Sequence, residues 1–438
     1  MRATPGQGSC GGVPPGAAAE VDMRAFVMGL LVAALAWWWF GGGAGAGASQ
    51  ARDGVPVAPA AGQSPADPAA NAGAGGPPAL DAMNLPPAQV ASHAATDTPS
   101  RAADAAPLSA EDLEALLARV QQRDGAAISL AFAWLSTSLG GSQRERLAGA
   151  LRPADDQRPA SEQWPQLLAS LGTNNAFLHS AEGRALATRA AQVAFALPDA
   201  EAVTAGTQLL TLMLRGRITK ADAEARAFVD EVYKLHRVRV DRWLCDPGNI
   251  AGSRSYTVAR GDSLARIAQR FRKEGLLVED GTLAVLNRIH NPNALQVGQK
   301  IKVPASPIVG VLEKRSFGFA IYVGEHLLRL YWVGHGAEDH TPLVEFTVGE
   351  KQPQPAWTAP NGKVYAYGQP ENILGEYFIK FLNDTYVGFG AHGTTLPETI
   401  CTMSSAGCIR MLDADIAELF KILPRGAKVV IRASESIR

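Results

Sequence analysis

From Gly41 to Pro107 the chain is a tract of Ala, Pro and Gly with few large apolar residues. Such a segment buries too little surface to offset the entropy of ordering it. Any folded core must therefore come from the residues that follow, and residues 49–107 read as a disordered tether that supplies reach and no chemistry. In front of the tract lies the apolar run Ala25 to Phe40, preceded by Arg24. It is short for a membrane span and reads as an export signal, with Ala46-Gly47-Ala48 as a small-residue cleavage site. The neutral Gly/Ala stretch can instead lengthen it, so residues 1–48 are a signal peptide or a signal anchor, with Met23 as an alternative start. Either form makes the rest extracytoplasmic, in the periplasm or cell envelope, touching a membrane only through this segment.

The formal net charge of -1 over 438 residues gives no reason to expect a nucleic-acid partner or a broadly cationic membrane surface. Four cysteines, Cys10, Cys245, Cys401 and Cys408, are irregularly spaced and contain no CxxC pair. They form neither a disulfide framework nor a zinc signature, and at least one is a free thiol.

Residues 108–250 read as an all-helical domain of unassigned role. Leu113, Leu116, Leu117 and Val120 share one helical face behind Ser109 as N-cap. Further helical stretches run from Ile128 to Leu139, Arg184 to Leu197, Ala202 to Leu214, and Ala221 to Leu244, the last capped by Thr219. The domain shows no catalytic constellation. His179 and His236 are lone histidines with structural or surface roles, and Trp243 and Cys245 are packing residues.

Residues 255–304 are patterned strand, helix, helix, strand. Ser255 to Val258 alternates, Arg260-Gly261-Asp262 turns, and Ser263-Leu264 opens a helix with Ile267, Ala268 and Phe271 on one side. A second helix runs from Thr282 to Asn287, and Gly298-Gln299 leads into the strand Lys300 to Val303. Tyr256-Thr257-Val258, Gly261-Asp262-Ser263-Leu264, Ile267-Ala268, Leu286-Asn287, Val297-Gly298-Gln299 and Ile301-Lys302-Val303-Pro304 resemble a LysM module. The resemblance implies a small βααβ fold that binds N-acetylglucosamine-containing glycan. Gly261, Asp262, Ser263 and Leu264 on one loop, and Ile289, His290 and Asn291 on another, would flank the sugar. The long stretch Lys273 to Gly281 departs from the pattern, and a bare spacer role stays open.

Beyond Pro307 the reading switches to strands: Phe319 to Val323 and Leu327 to Trp332 around the turn Gly324-Glu325-His326, then Val344 to Val348, Tyr377 to Phe381 and Val429 to Arg432, with one helix from Asp413 to Leu423. A mainly-β domain with one late helix is expected. Its chemistry lies in Gly390-Ala391-His392-Gly393-Thr394 and, sixteen residues after His392, Ser404-Ser405-Ala406-Gly407-Cys408-Ile409-Arg410. A free thiol is mostly protonated at neutral pH, and an imidazole nearby can take that proton. Gly407 permits a tight backbone whose N–H groups can face a developing oxyanion.

This combination resembles the L,D-transpeptidase catalytic domain, with the likeness extending over residues 308–433 through Thr341-Pro342, Pro355-Ala356-Trp357, Asn361-Gly362, Glu371-Asn372, Leu374-Gly375 and Asp415. It implies Cys408 as nucleophile, His392 as base and Gly393 as the carbonyl that holds the imidazole. Ala406, Gly407 and Cys408 would supply oxyanion N–H groups. Arg410, Ser405 and Thr394 would shape or contact the substrate site, with a loop-fixing salt bridge as the other reading of Arg410. Departures are Ala406 where many members have His or Ser, Val344 where Gly is frequent, and Phe378 where Trp is common. Cys401 is read as a packing residue; His335 and His340 are expected to be solvent-exposed.

The implied reaction joins peptidoglycan stem peptides through a Cys408 thioester with loss of D-alanine, needing no metal or organic cofactor. Its partners would be the stem peptides and glycan strands of peptidoglycan. Hydrolysis of the same thioester (an L,D-carboxypeptidase), attachment of an envelope protein to the stem, and a wall-binding structural protein without activity are the competing readings.

Overall fold

The computed structural model describes residues 108–433 apart from 138, 154–156 and 360. The signal and tether expectations for residues 1–107 lie outside the described residues.

Seven helices come first: α1 (Ala110–Gln121), α2 (Gly125–Leu135), α3 (Gly141–Leu151), α4 (Ala160–Ser170), α5 (Ala181–Ala196), α6 (Asp199–Leu214) and α7 (Ala223–Arg239), the last running into a π turn over Val240–Leu244. Ser109 caps α1, its Oγ accepting from Asp112 N–H at 3.0 Å, and Leu113, Leu116, Leu117 and Val120 are buried. Asp124 caps α2 through the N–H groups of Ala126 and Ala127. Helices α3 and α4 escaped the sequence reading because α3 buries only Leu147 and Leu151 and α4 carries Pro165 in its interior. Thr219 is not the cap of α7: its N–H and hydroxyl both donate to Asp222 Oδ2, at 2.7 and 2.6 Å, fixing the turn before the helix.

The next unit pairs β1 (Ser253–Thr257) with β2 (Lys300–Pro304), antiparallel, around α8 (Leu264–Lys273) and α9 (Asp280–Leu286). Val258, Ile267, Phe271, Leu283 and Val303 form its small core.

The last unit is an eight-stranded sheet in the order β13-β11-β10-β7-β14-β3-β4-β5. Its strands are β3 (Ile308–Glu313), β4 (Gly318–Val323), β5 (His326–Trp332), β7 (Glu345–Pro353), β10 (Tyr377–Leu382), β11 (Gly390–His392), β13 (Ile409–Arg410) and β14 (Lys428–Arg432). His326 thus begins a strand instead of completing the turn. Beyond β5, Gly334 exchanges main-chain hydrogen bonds of 2.9 and 2.8 Å with Arg410 of β13, so the sheet curls until its two ends meet. The late helix α10 (Asp413–Ile422) packs Ile416, Leu419 and Ile422 into the sheet core. Short strands β6 (His335–Gly336) and β12 (Met403–Ser405) pair beside it, and β8 (Trp357–Thr358) and β9 (Val364–Tyr365) form a separate hairpin.

The helical domain covers the free edge of β5. An edge strand leaves alternate main-chain groups unpaired, which is costly once water is excluded. Here Leu327 N–H donates to Thr207 Oγ1 (3.0 Å), Leu327 C=O bonds His236 Nε2 (2.8 Å), and Leu330 N–H donates to the Tyr233 hydroxyl (3.1 Å). Trp332 Nε1 reaches Asp230 at 2.7 Å. His236, which is fully buried, is therefore a strand cap supplied from α7.

Candidate active site

Main-chain register brings the two reactive groups together. Strand β11 ends at His392 and pairs in parallel with β13, His392 opposite Arg410, two residues beyond Cys408. His392 is 3% exposed, and its Nδ1 lies 2.6 Å from the Gly393 carbonyl oxygen. A carbonyl only accepts, so Nδ1 carries the proton and Nε2 keeps the lone pair. A Cβ at Gly393 would stand 2.2 Å from Asp413 Oδ1, so a side chain there would displace that carboxylate.

Cys408 is partly exposed, and its thiol points at the Gly388 carbonyl, 3.6 Å away. The protein packed around the sulfur pushes the thiol up to about 11, against the opposing pull of a backbone hydrogen bond from Gly390 and the charge of Arg410. Burial likewise pushes His392 down to about 4, the Gly393 carbonyl opposing and Arg410 adding to the shift. Both shifts favour the uncharged forms, a thiol just before β13 and an imidazole at the end of β11, with the thiol directed at the Gly388 carbonyl. Alkylation of Cys408 by iodoacetamide, which requires thiolate, is expected to rise about tenfold per pH unit from 7 to 10 without levelling. A plateau below pH 8 in the measured rate constants would instead reveal a thiolate–imidazolium pair.

The nucleophile loop is held by two hydroxyls. Ser405 Oγ donates to the Cys408 carbonyl (2.7 Å) and accepts from Gly407 N–H (3.1 Å). Thr341, 1% exposed, donates from Oγ1 to the Gly407 carbonyl (2.7 Å) and accepts from Gly336 N–H (2.8 Å). Because the peptide is planar and trans, fixing the Gly407 carbonyl on one side aims Cys408 N–H to the other. Gly407 adopts φ +136, and a Cβ there would meet Phe389 at 2.6 Å.

These bonds revise several expected roles. Gly407 N–H is occupied by Ser405, which leaves Ala406 and Cys408 as the N–H groups without partners among the described residues. Ser405, 5% exposed, is a clamp on the loop and does not offer its hydroxyl to a substrate. Thr394 is 8% exposed and its Oγ1 accepts from Leu396 N–H at 3.1 Å, so it fixes the turn after His392. Arg410 makes only a 3.4 Å contact with Ser404 Oγ and has no carboxylate partner among the described residues; the loop-fixing salt bridge is not formed. His335 is 1% exposed, stacked on Phe317 and bonded to the Lys314 carbonyl (3.0 Å), contrary to the exposed role expected; His340 is exposed. Cys401 is buried. Among the described residues no group of three or more His, Cys, Asp or Glu is placed to hold a metal.

The expected glycan contacts divide. Asp262 Oδ2 accepts from the Tyr256 hydroxyl (2.6 Å) and Ala259 N–H (2.8 Å), Ser263 caps α8, and Leu264 is buried, so all three side chains serve the module's own fold. Gly261 is exposed at φ +85. Ile289 and His290 line a cleft of about 900 Å³ between this module, the π turn after α7, and β10 with α10; none of residues 261–264 lines it. Asn291 caps the short 3-10 turn at Pro292–Ala294.

The family described as "L,D-transpeptidase catalytic domain" matches residues 310–431, and the LysM domain matches residues 256–304. Two Bacillus subtilis proteins provisionally named L,D-transpeptidases are similar to the chain. YqjB is 33% identical over 132 residues, 30% of this chain and 73% of its own length; YkuD is 30% identical over 180 residues, 40% and 98% respectively. Among solved structures, an L,D-transpeptidase from Mycobacterium smegmatis aligns at 18% identity and TM-score 0.25, over 32% of this chain and 65% of that one.

Proposed function

This chain belongs to the L,D-transpeptidase family, and we propose that it cross-links peptidoglycan stem peptides through a Cys408 thioester while its LysM domain holds it on the wall glycan. The observation that supports this reading is the tautomer of His392: its Nδ1 proton is spent on the Gly393 carbonyl, which leaves Nε2, on the strand paired with the one that follows Cys408, as the nitrogen with the free lone pair.

The sulfur of Cys408 attacks the carbonyl of the third stem residue, a diamino acid, as its proton passes to His392 Nε2. The oxyanion is received by the free N–H groups of Cys408 and Ala406. Collapse breaks the C–N bond, His392 returns the proton to the departing amine, and D-alanine leaves. The amine of a neighbouring stem then attacks the thioester, its proton passes through His392 to the sulfur, and a 3→3 cross-link remains. Arg410, without a carboxylate partner among the described residues, supplies a guanidinium for a substrate carboxylate. The working location in this reading is extracytoplasmic, in the periplasm or cell envelope, with residues 25–40 as the export signal or membrane anchor. Incubation with purified disaccharide tetrapeptide, read by mass spectrometry, is expected to yield cross-linked dimers and free D-alanine. Tripeptide without dimers would replace this reading by an L,D-carboxypeptidase.

A further inference from the structure

The cleft of about 900 Å³ has walls from three parts of the chain and lies within the size range of ligand sites. It exists because the LysM domain is pinned to its neighbours. Glu279 bonds Lys351 (2.5 Å) and Arg425 (3.0 Å) of the catalytic domain, Thr282 Oγ1 donates to the Ile422 carbonyl (3.0 Å), and Arg288 donates to the Arg242 carbonyl (3.0 Å). Gly281 approaches the late helix so closely that a Cβ would stand 2.5 Å from the Lys421 carbonyl oxygen. The LysM surface and the catalytic sheet therefore meet at a fixed offset.

The lining carries six Lys and Arg side chains against four Asp and Glu. Glu279 is shared by Lys351 and Arg425 and Glu418 by Arg329 and Arg237, so each offsets one of its two partners; with Asp241 and Asp280 counted, the lining keeps two cations in excess. Arg288, Lys421 and His290 are exposed at the cleft, and neither Lys421 nor His290 has a side-chain partner among the described residues. Tyr377 and Phe420, ring centroids 4.7 Å apart, give an apolar platform, with Ile289 also on the wall. Cationic heads around an aromatic floor fit a carboxylate-bearing sugar–peptide. None of Cys408, His392 and Arg410 lines the cleft; its link to them is through main chain, the Tyr377 carbonyl accepting Gly393 N–H (3.4 Å) and Gly393 holding His392.

We propose that this interdomain cleft is a second binding site for the wall polymer, taking an anionic glycopeptide segment on Arg288, Lys421, His290 and the Tyr377–Phe420 platform. The proposal rests on the peptidoglycan reading of the preceding subsection. The test is calorimetric binding of disaccharide tetrapeptide, with a neutral N-acetylglucosamine oligomer as comparison, to the full chain and to Lys421→Glu, Lys421→Arg and Arg288→Glu. Both charge reversals are expected to weaken glycopeptide binding about tenfold, Lys421→Arg to keep it, and all to bind the neutral oligomer like the parent, which also reports an intact LysM fold. Equal glycopeptide affinity in parent and reversed variants, or a parent that binds the oligomer alone, overturns the proposal. Failure of the peptidoglycan reading itself shows differently, as absence of acyl transfer to any stem fragment in the parent.

Discussion

Replacing Thr341 with valine is expected to slow acylation of Cys408 by roughly ten- to a hundredfold while leaving the sulfur and the imidazole in place. Loss of a whole oxyanion donor typically costs about 10²–10³ in rate, and here the donor is misaligned, not deleted. Valine fills the volume of Thr341 but cannot donate to the Gly407 carbonyl, so the peptide that aims Cys408 N–H loses its direct tether and is held only through Ser405 on either side of it. Gly336 N–H and Gly407 C=O also lose a buried partner, a destabilisation of about 1–3 kcal/mol for each such group. Thr341→Ser keeps the hydroxyl and should recover most of the rate, which separates orientation from general loosening. Single-turnover acylation alongside thermal unfolding checks this; a valine variant acylating at the parent rate contradicts the orienting role.

Acid is expected to weaken the fold between about pH 6.5 and 4. Burial holds His236 at about 4, and His392 likewise, below the ordinary 6.5. In that window the unfolded chain binds more protons than the folded one, so stability is full above 6.5 and falls as pH drops through 4, by about 3 kcal/mol for each histidine. Asp415 has the opposite sign. Burial, reinforced by Glu418, raises it from 3.8 to about 6, so it gains stability as pH falls over the same range and offsets about one histidine. These three groups alone give a loss of about 3 kcal/mol at pH 4, and His326 and His335, also held below the ordinary range by burial, act in the same direction. His236→Gln, whose amide can still donate to the Leu327 carbonyl, removes one titrating group and should reduce the loss measured by chemical denaturation at pH 4 by about 3 kcal/mol. An unchanged pH dependence in that variant would mean that His236 is not held neutral.

What was legible in the sequence is local. Ser109 and the Leu113, Leu116, Leu117, Val120 stripe announce a capped helix because cap and face lie within one segment. The alternation of Phe319 to Val323 and Leu327 to Trp332 marks two neighbouring strands for the same reason. Cys408 and His392 were found because their flanking glycines and spacing are distinctive. What was not legible depends on partners far along the chain. Strands β11 and β13 have three and two residues, too few for a period, and form by pairing along the sheet, β13 on β11 and β11 on β10. The Thr341–Gly407 bond joins residues 66 apart, and Thr341 had entered the sequence reading without a role of its own. For Ser405 and Thr394 the resemblance implies a place in the substrate site, and it says nothing of where their hydroxyls bond. Packing turned both inward, where each satisfies backbone groups of its own turn. The helical domain offered no catalytic residue because its contribution to the catalytic unit is the cover of β5 by Thr207, Tyr233 and His236, which no local pattern encodes.

The central claim is that the acyl group passes through Cys408, and the most direct measurement is intact-protein mass spectrometry after brief mixing of the full chain with disaccharide tetrapeptide. The account predicts a mass gain equal to the stem fragment less D-alanine, located at Cys408, lost on adding hydroxylamine and absent in Cys408→Ala. An adduct at another residue, or cross-linked product formed equally by Cys408→Ala, would contradict it.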